Sequence, residues 1–294
     1  MKRRPTTILC WAGAVLALAT ACGQARAGTA VPRGDEATAY VGAKFENTMN
    51  KMKDTVGDQR NVTTSLDAYF RFDDKWVHNL ITAARTGDPE SRVSRNHSQK
   101  NPDEALDSFT PGEGTVEYMY LGPAYKSLAP TPWVSMPKPE TGMLNKCNWA
   151  GIQVACKMGD AVAVSYNKDK KTVKGAKSLP DGKTELTADV TFDSFVSNRV
   201  EVLPESITSK IKDELHKAVV PTKVTVNADG TLDQIVMDAK FEGDGHKVEL
   251  RYTFAFTGKA STQDLPKTPD AAQVTVLPDK AARDDFYRRL GDLQ

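Results

Sequence analysis

The stretch TKVTVNADGTLDQIVMDAKFEGDGHKVELRYTFAFT, residues 222–257, decides the fold. In its last part Val248, Leu250, Tyr252, Phe254 and Phe256 alternate with Lys247, Glu249, Arg251, Thr253 and Ala255. In its middle part Ile235, Met237, Ala239 and Phe241 alternate with Gln234, Val236, Asp238 and Lys240. Successive side chains of a strand point to opposite faces. Each run therefore has one apolar and one wetter face, as in an antiparallel sheet covered on a single side. Asn227-Ala228-Asp229-Gly230 and Gly243-Asp244-Gly245 hold the residues that tolerate positive φ, so each marks a hairpin turn. Helices or a ligand must cover the apolar rows Ile235, Met237, Ala239, Phe241 and Val248, Leu250, Tyr252, Phe254, Phe256.

Before this meander, Thr184 to Phe195 reads as a strand. Pro204 then opens a helix with Ile207, Ile211, Leu215 and Ala218 on one stripe, stopped by Pro221. After it come a loop, a short strand at Val274 to Leu277 and a final helix over 279–293, striped by Ala282, Phe286, Leu290 and Leu293. Asp284 with Arg288 and Asp285 with Arg289 are spaced as i,i+4 pairs on its wet side.

Further upstream, Val41, Phe45, Met49, Met52 and Val56 form one stripe of a helix begun near Asp35 or Thr38 and stopped by Gly57. Leu66, Ala68, Phe70 and Phe72 alternate as a strand, while Trp76 to Ala83 fits strand or helix. Arg85 to Asn101 is polar and reads as an edge strand with loops. Val116 to Leu121, Gly122-Pro123 and Ala124 to Leu128 read as a hairpin, and Pro132 to Met136 as a short strand. Ile152, Ala155, Met158 and Val162 place a helix over Trp149 to Tyr166. Lys168, Lys170, Lys171, Lys174 and Lys177 form a basic loop, either solvated or in contact with anionic headgroups.

The N-terminus carries the address. Lys2-Arg3-Arg4 and the apolar run Ile8 to Leu18 make a signal peptide over 1–21, too short to span a bilayer comfortably. Ala19-Thr20-Ala21-Cys22 resembles a lipobox, which implies acylation of Cys22 and an anchor on the extracytoplasmic face of the cell membrane. Residues 22–36 are then a lipidated tether reaching about 20 Å as a coil. The rest, 37–294, reads as one domain, since no Pro/Ser/Gly-rich linker divides it. With Cys10 in the leader and Cys22 acylated, Cys147 and Cys156 remain as a pair outside the cytoplasm, which reads as a disulfide.

Net charge is +1, from 39 basic and 38 acidic side chains, and gives no support for nucleic-acid binding. The histidines His78, His97, His216 and His246 are scattered, and no HExxH, GxSxG, P-loop or dinucleotide fingerprint occurs. The acidic pairs Asp73-Asp74, Asp103-Glu104 and Asp284-Asp285 read as turns and solvated surface. No metal, cofactor or catalytic residue is expected.

The lipobox, the early helix, the hairpin at Glu117 to Leu128, Pro132-Trp133-Val134 and the strand–helix–meander block at 184–258 together resemble the LppX/LprG-type and LolA-like lipoproteins of actinobacterial envelopes. The resemblance runs over roughly residues 37–278. It implies an α+β fold in which an antiparallel sheet curves into an unclosed half-barrel with helices on its concave face. It also implies an apolar ligand, a lipid, bound or shuttled between sheet and helices in a cleft recognised by shape, with no residue carried over. The alternative keeps the fold but fills the concavity with side chains, leaving a non-catalytic envelope interaction or sensing module. The protein partner of such a module is not legible.

Overall fold

A computed structural model describes residues 35–55, 59–138 and 147–293. The chain divides into residues 1–38, of which only Asp35–Thr38 are described, and a unit of residues 39–294. Within that second unit the described strands form a single sheet of twelve.

Strands β1 (Val62–Phe72), β2 (Lys75–Thr86), β3 (Ser91–Ser98), β4 (Ala105–Thr110), β5 (Val116–Leu121) and β6 (Trp133–Pro137) make one antiparallel run. Strands β7 (Val173–Ser178), β8 (Thr184–Thr191), β9 (Val219–Val226), β10 (Leu232–Gly243) and β11 (His246–Lys259) make another. β11 joins the two by pairing antiparallel with β1, and β12 (Val274–Val276) adds to β6 in parallel. The order is β12-β6-β5-β4-β3-β2-β1-β11-β10-β9-β8-β7. Its two ends do not pair, so the sheet is an unclosed half-barrel in an α+β fold.

The helices are α1 (Asp35–Thr55), α2 (Ala150–Lys168), α3 (Phe192–Ser197), α4 (Glu205–Thr208), α5 (Asp213–Lys217) and α6 (Lys280–Gly291). Phe45, Met49 and Met52 of α1, Ile152, Ala155, Met158 and Val162 of α2, and Phe192 and Phe195 of α3 join one core with the inner side chains of β1 and β8–β11. A second core lies at the far side of the sheet, where Phe286 and Leu290 of α6 cover Leu121, Val134 and Met136. Burying each such side chain contributes about 1.5–3 kcal/mol. The stripe of α1 is buried from Phe45 to Met52, while Val56 and Gly57 lie outside the described residues.

Several local expectations are corrected. Trp76 to Ala83 is strand, and the polar run after it contains β3, an interior strand between β2 and β4 and not an edge. β4 has no counterpart in the reading of the sequence. Ala124 to Leu128 is not a strand: Pro123–Tyr125 form a 3-10 turn, Tyr125 and Leu128 drop into the second core, and β5 pairs with β6. β8 stops at Thr191, four residues before Phe195, where the Thr191 hydroxyl accepts the Ser194 N–H (3.2 Å) and caps α3. The helix expected from Pro204 to Ala218 is two short ones. The Asp244 carboxylate accepts the N–H groups of Lys212 (3.0 Å) and Leu215 (3.1 Å), which holds Lys212 extended and begins α5 afresh. Pro221 sits inside β9, opposite Asp189 and just beyond Thr222, the last β9 residue that β10 covers, where its missing N–H breaks no ladder bond to β10.

The basic loop is the end of α2, a 3-10 turn at Lys170–Thr172 and the first residues of β7, an edge strand. Lys168, Lys170 and Lys174 pair with Asp193 (2.8 Å), Glu46 (3.2 Å) and Asp189 (3.0 Å). Lys174 and Lys177 lie on that edge, where charged side chains oppose edge-to-edge pairing. In α6 the pair Asp285–Arg289 forms (3.0 Å), but Arg288 turns to Asp285 and Asp292, and Asp284 bonds Lys280.

Candidate functional site

Residues directly opposite one another across a sheet share a face. One row of the concave face runs Leu66 (β1), Ile81 (β2), Asn96 (β3), Leu106 (β4) and Leu121 (β5), and the row beside it runs Tyr252 (β11), Ala68, Asn79 and Ser98. Following these rows outward from the main core shows where the helical cover stops. Leu66 and Ala68 are buried, whereas Asn79, Ile81, Asn96 and Leu106 are partly exposed and Val77 is 44% exposed. Met119 of β5 is also partly exposed, and Leu121 is buried again in the second core. A strip of concave face over β2–β4 thus lies between two helix-covered cores. It is apolar at Val77, at Ile81, which packs on the margin of the main core, and at Leu106 and, on β5, Met119, which pack on the margin of the second; the Asn96 side-chain oxygen within it is buried without a hydrogen-bond partner among the described residues. A buried acceptor left unpaired by the protein is a position that a water or a ligand donor satisfies.

The nine residues proposed from the sequence as a cleft lie next to this strip. Ile235, Met237, Ala239, Val248, Leu250, Tyr252 and Phe254 are buried in the main core, and Phe241 and Phe256 are partly buried against it. Aromatic rings fill the layer between sheet and helices. Phe195 meets Tyr252 at 5.3 Å and Phe192 meets Phe241 at 5.1 Å, both edge to face.

A polar cluster interrupts this layer. The Tyr252 hydroxyl donates to Glu201, whose carboxyl end is turned inward although the residue keeps some exposed surface. Burial raises the Glu201 carboxyl above the usual carboxylate range, with the Tyr252 bond opposing. Burial, then the Glu201 charge, pushes the Tyr252 phenol well above its ordinary value. Lys157 of α2 is lowered by burial and then by the Arg199 charge, with Glu201 opposing. Arg199 closes α3 in a Schellman turn: its N–H reaches the Val196 carbonyl (2.9 Å) and the next N–H, of Val200, reaches the Phe195 carbonyl (3.2 Å). Its φ is 53°, where glycine is the usual residue and any other costs on the order of 1 kcal/mol.

Sequence reasoning missed both strip and cluster. Polar β3 showed no apolar alternation, and Lys157, Arg199, Glu201 and Tyr252 come from three separate segments. The one local signal was Asn198-Arg199, a non-glycine pair at a helix end.

Elsewhere, Cys147 and Cys156 form a disulfide with Cα atoms 6.0 Å apart. Cys22 lies outside the described residues. Each histidine stands by an aspartate: His78 by Asp67, His97 by Asp107 and His246 by Asp73, all at 2.8 Å. His216 is 3.2 Å from Asp193, at an angle that makes no hydrogen bond. Asp73 also accepts the Lys247 N–H (2.9 Å), so it ties two turns together. Among the described residues no three His, Cys, Asp or Glu side chains are grouped to hold a metal, and no helix is long and apolar enough to cross a membrane.

No protein-family model and no curated protein sequence matches the chain. Among solved structures it is similar to LprF from Mycobacterium bovis at 11% identity and a TM-score of 0.31, over 76% of this chain and 97% of that one. It is also similar to the lipoprotein LppX from Mycobacterium tuberculosis at 11% identity and a TM-score of 0.30, over 79% and 99%. A third likeness is a DUF1329 family protein from Desulfovibrio piger, at 10% identity and a TM-score of 0.25, over 79% and 98%. No residue role is carried across at these distances.

Proposed function

We propose that the protein is a membrane-anchored extracytoplasmic lipoprotein that binds or shuttles an apolar ligand, a lipid, without catalysis. The observation that carries this reading is the apolar strip over β2–β4, left partly exposed between two covered cores. A chain laid along Val77, Ile81, Leu106 and Met119 covers apolar surface at about 25 cal/mol per Å². It reaches inward toward Tyr252, Phe254 and Phe256, with Ile235, Met237, Ala239, Phe241, Val248 and Leu250 as the inner floor beneath the helices. A fluorescent fatty-acyl probe titrated into the purified protein tests this. Ile81→Trp fills the strip at a partly exposed position, so probe affinity falls tenfold or more while the melting temperature hardly moves. A wild type that never takes up the probe sinks the carrier reading.

The burial of seven of the nine inner residues favours a second reading, an interaction or sensing module with a filled core. Failure of probe binding leaves that one standing.

Anchoring rests on Lys2-Arg3-Arg4, the apolar run and Ala19-Thr20-Ala21-Cys22. Cells fed a radiolabelled fatty acid label the wild type and leave Cys22→Ser unlabelled and released from the membrane. Equal label in both rules out acylation at Cys22.

A further inference from the structure

We propose that the second core is the closed end of the ligand site and that α6 is a displaceable cover over it, so that a long hydrocarbon chain lying on the strip runs on beneath the helix when α6 lifts. The inference rests on the carrier reading and adds the length of the chain carried and the element that yields to it. The sheet register places strip and second core on one face. Leu106 stands opposite Leu121 and Met119 opposite Val134, while Met136, two residues along β6 from Val134, shares that face. The apolar floor therefore continues from Ile81 and Leu106 to Leu121, Val134 and Met136. What ends its open part is α6, which covers those last three through Phe286 and Leu290.

The grip of α6 on that floor is narrow. Of its twelve residues only Phe286 and Leu290 are buried. Its charged side chains pair within the helix and its C-cap: Lys280 and Arg283 with Asp284, Arg288 and Arg289 with Asp285, and Arg288 again with Asp292. Asp279 caps the helix by accepting the Ala282 N–H (2.9 Å). Among the described residues the one hydrogen bond from α6 to the rest of the unit runs from the Tyr287 hydroxyl to the Met136 sulfur at 3.5 Å, and a thioether is a weak acceptor. Lifting α6 thus breaks no ion pair to the sheet among the described residues. Its cost is the exposure to water of two side chains and of the floor beneath them. A hydrocarbon chain that takes the place of the helix keeps the floor dry, so one apolar cover is exchanged for another.

Neighbouring strands lie about 4.8 Å apart, so the strip over β2–β4 is about 10 Å wide, the reach of an octanoyl chain, and the floor from β2 to β6 is about 19 Å, the reach of a hexadecanoyl chain. The test is native-state amide exchange of the full chain, alone and with octanoyl and hexadecanoyl probes carrying the same fluorophore, each below its micellar concentration. Their affinities are read by fluorescence titration. Without a probe the amides of α6 are expected to exchange at least about a hundredfold faster than those of β10 and β11, because the helix opens apart from the main core. The hexadecanoyl probe is expected to quicken α6 exchange about tenfold or more by holding the helix off the floor, whereas the octanoyl probe needs only the strip and leaves it unchanged. Leu290→Ala loosens the cover and raises the open fraction, so it binds the hexadecanoyl probe several-fold more tightly and the octanoyl probe as the wild type does. Slow exchange of β10 and β11 in that variant shows that it folds, and Phe286→Ala is expected to act in the same direction. Amides of α6 that exchange no faster than those of β10 and β11 overturn the cover and leave the strip as the whole site. So does a hexadecanoyl probe that slows α6 exchange or leaves it unchanged, or whose affinity Leu290→Ala does not move. A protein that binds neither probe overturns the carrier reading and this extension of it together.

Discussion

Phe195→Ala lowers stability by about 3–5 kcal/mol, the usual loss when a fully buried phenylalanine is cut to alanine. Phe195 has no exposed surface and its ring stands 5.3 Å from Tyr252, 5.8 Å from Phe192 and 6.5 Å from Phe70. It belongs to α3, a helix of six residues, far below the length at which a helix holds in water by itself. With Phe192 the ring therefore holds α3 on the sheet, and with α3 the Schellman turn that presents Arg199 and leads to Glu201. Urea unfolding measures the loss as a lower midpoint at an unchanged slope. Leu80→Ala, at a position 36% exposed on the opposite face of the sheet, serves as comparison and stays within about 0.5 kcal/mol. A Phe195→Ala midpoint no lower than that of Leu80→Ala shows that the aromatic layer is not a packed core.

The parts of this fold that could be read from the sequence are those whose rules are local. β10 and β11 alternate cleanly because one face is buried along most of their length, and α2 shows its stripe for the same reason. β3 could not be read, because its concave residues Ser94, Asn96 and Ser98 are polar and lie partly in the open strip. Position in the sheet was hidden as well, since a polar strand looks like an edge until its neighbours are known. The helix expected after Pro204 had an apolar stripe, with Ile207, Ile211 and Leu215 all buried, yet it breaks in two. The carboxylate that breaks it, Asp244, comes from a turn 29 residues beyond Leu215 and leaves no trace in the local pattern. The candidate site was illegible for the same reason. Its strip is defined by where helices fail to reach, and its polar cluster is assembled from α2, the turn after α3, and β11.

Removing the disulfide is the second large effect expected. Cys147 and Cys156 stand nine residues apart, so the bond closes a short loop and stabilises by about 2–3 kcal/mol in the chain-entropy model. It fixes the chain just before α2, where Trp149 is buried and Gly151 lies so near Ala83 that a Cβ there would stand 2.7 Å from that methyl. Thr64 donates to the Gly151 carbonyl (2.8 Å), which seats this end of α2 on β1. Cys147→Ser with Cys156→Ser, or reduction of the native protein, therefore lowers the melting temperature and frees the amides of the first turns of α2 to exchange. Alkylation under denaturing conditions gives the state of the bond directly: two blocked thiols before reductant, two reactive ones after. Two reactive thiols at Cys147 and Cys156 in the unreduced protein would refute the bond.

The seam between β1 and β11 sets the time order in which this molecule can be completed. Val62 pairs with Lys259 and Phe72 with Val248, separations of 197 and 176 residues along the chain. Every other antiparallel pair of neighbours from β1 to β6 forms within its own short stretch, so the N-terminal run of strands can assemble while the rest is still being made. β1 then waits as an eleven-residue bare edge until β11 arrives. Bringing together segments so far apart draws on loop-closure entropy before any contact rewards it, and the waiting edge is open to the wrong partner. Slow arrival of the C-terminal strands lengthens that wait, which makes the half-barrel a chain whose hazard lies in its assembly and not in its finished state.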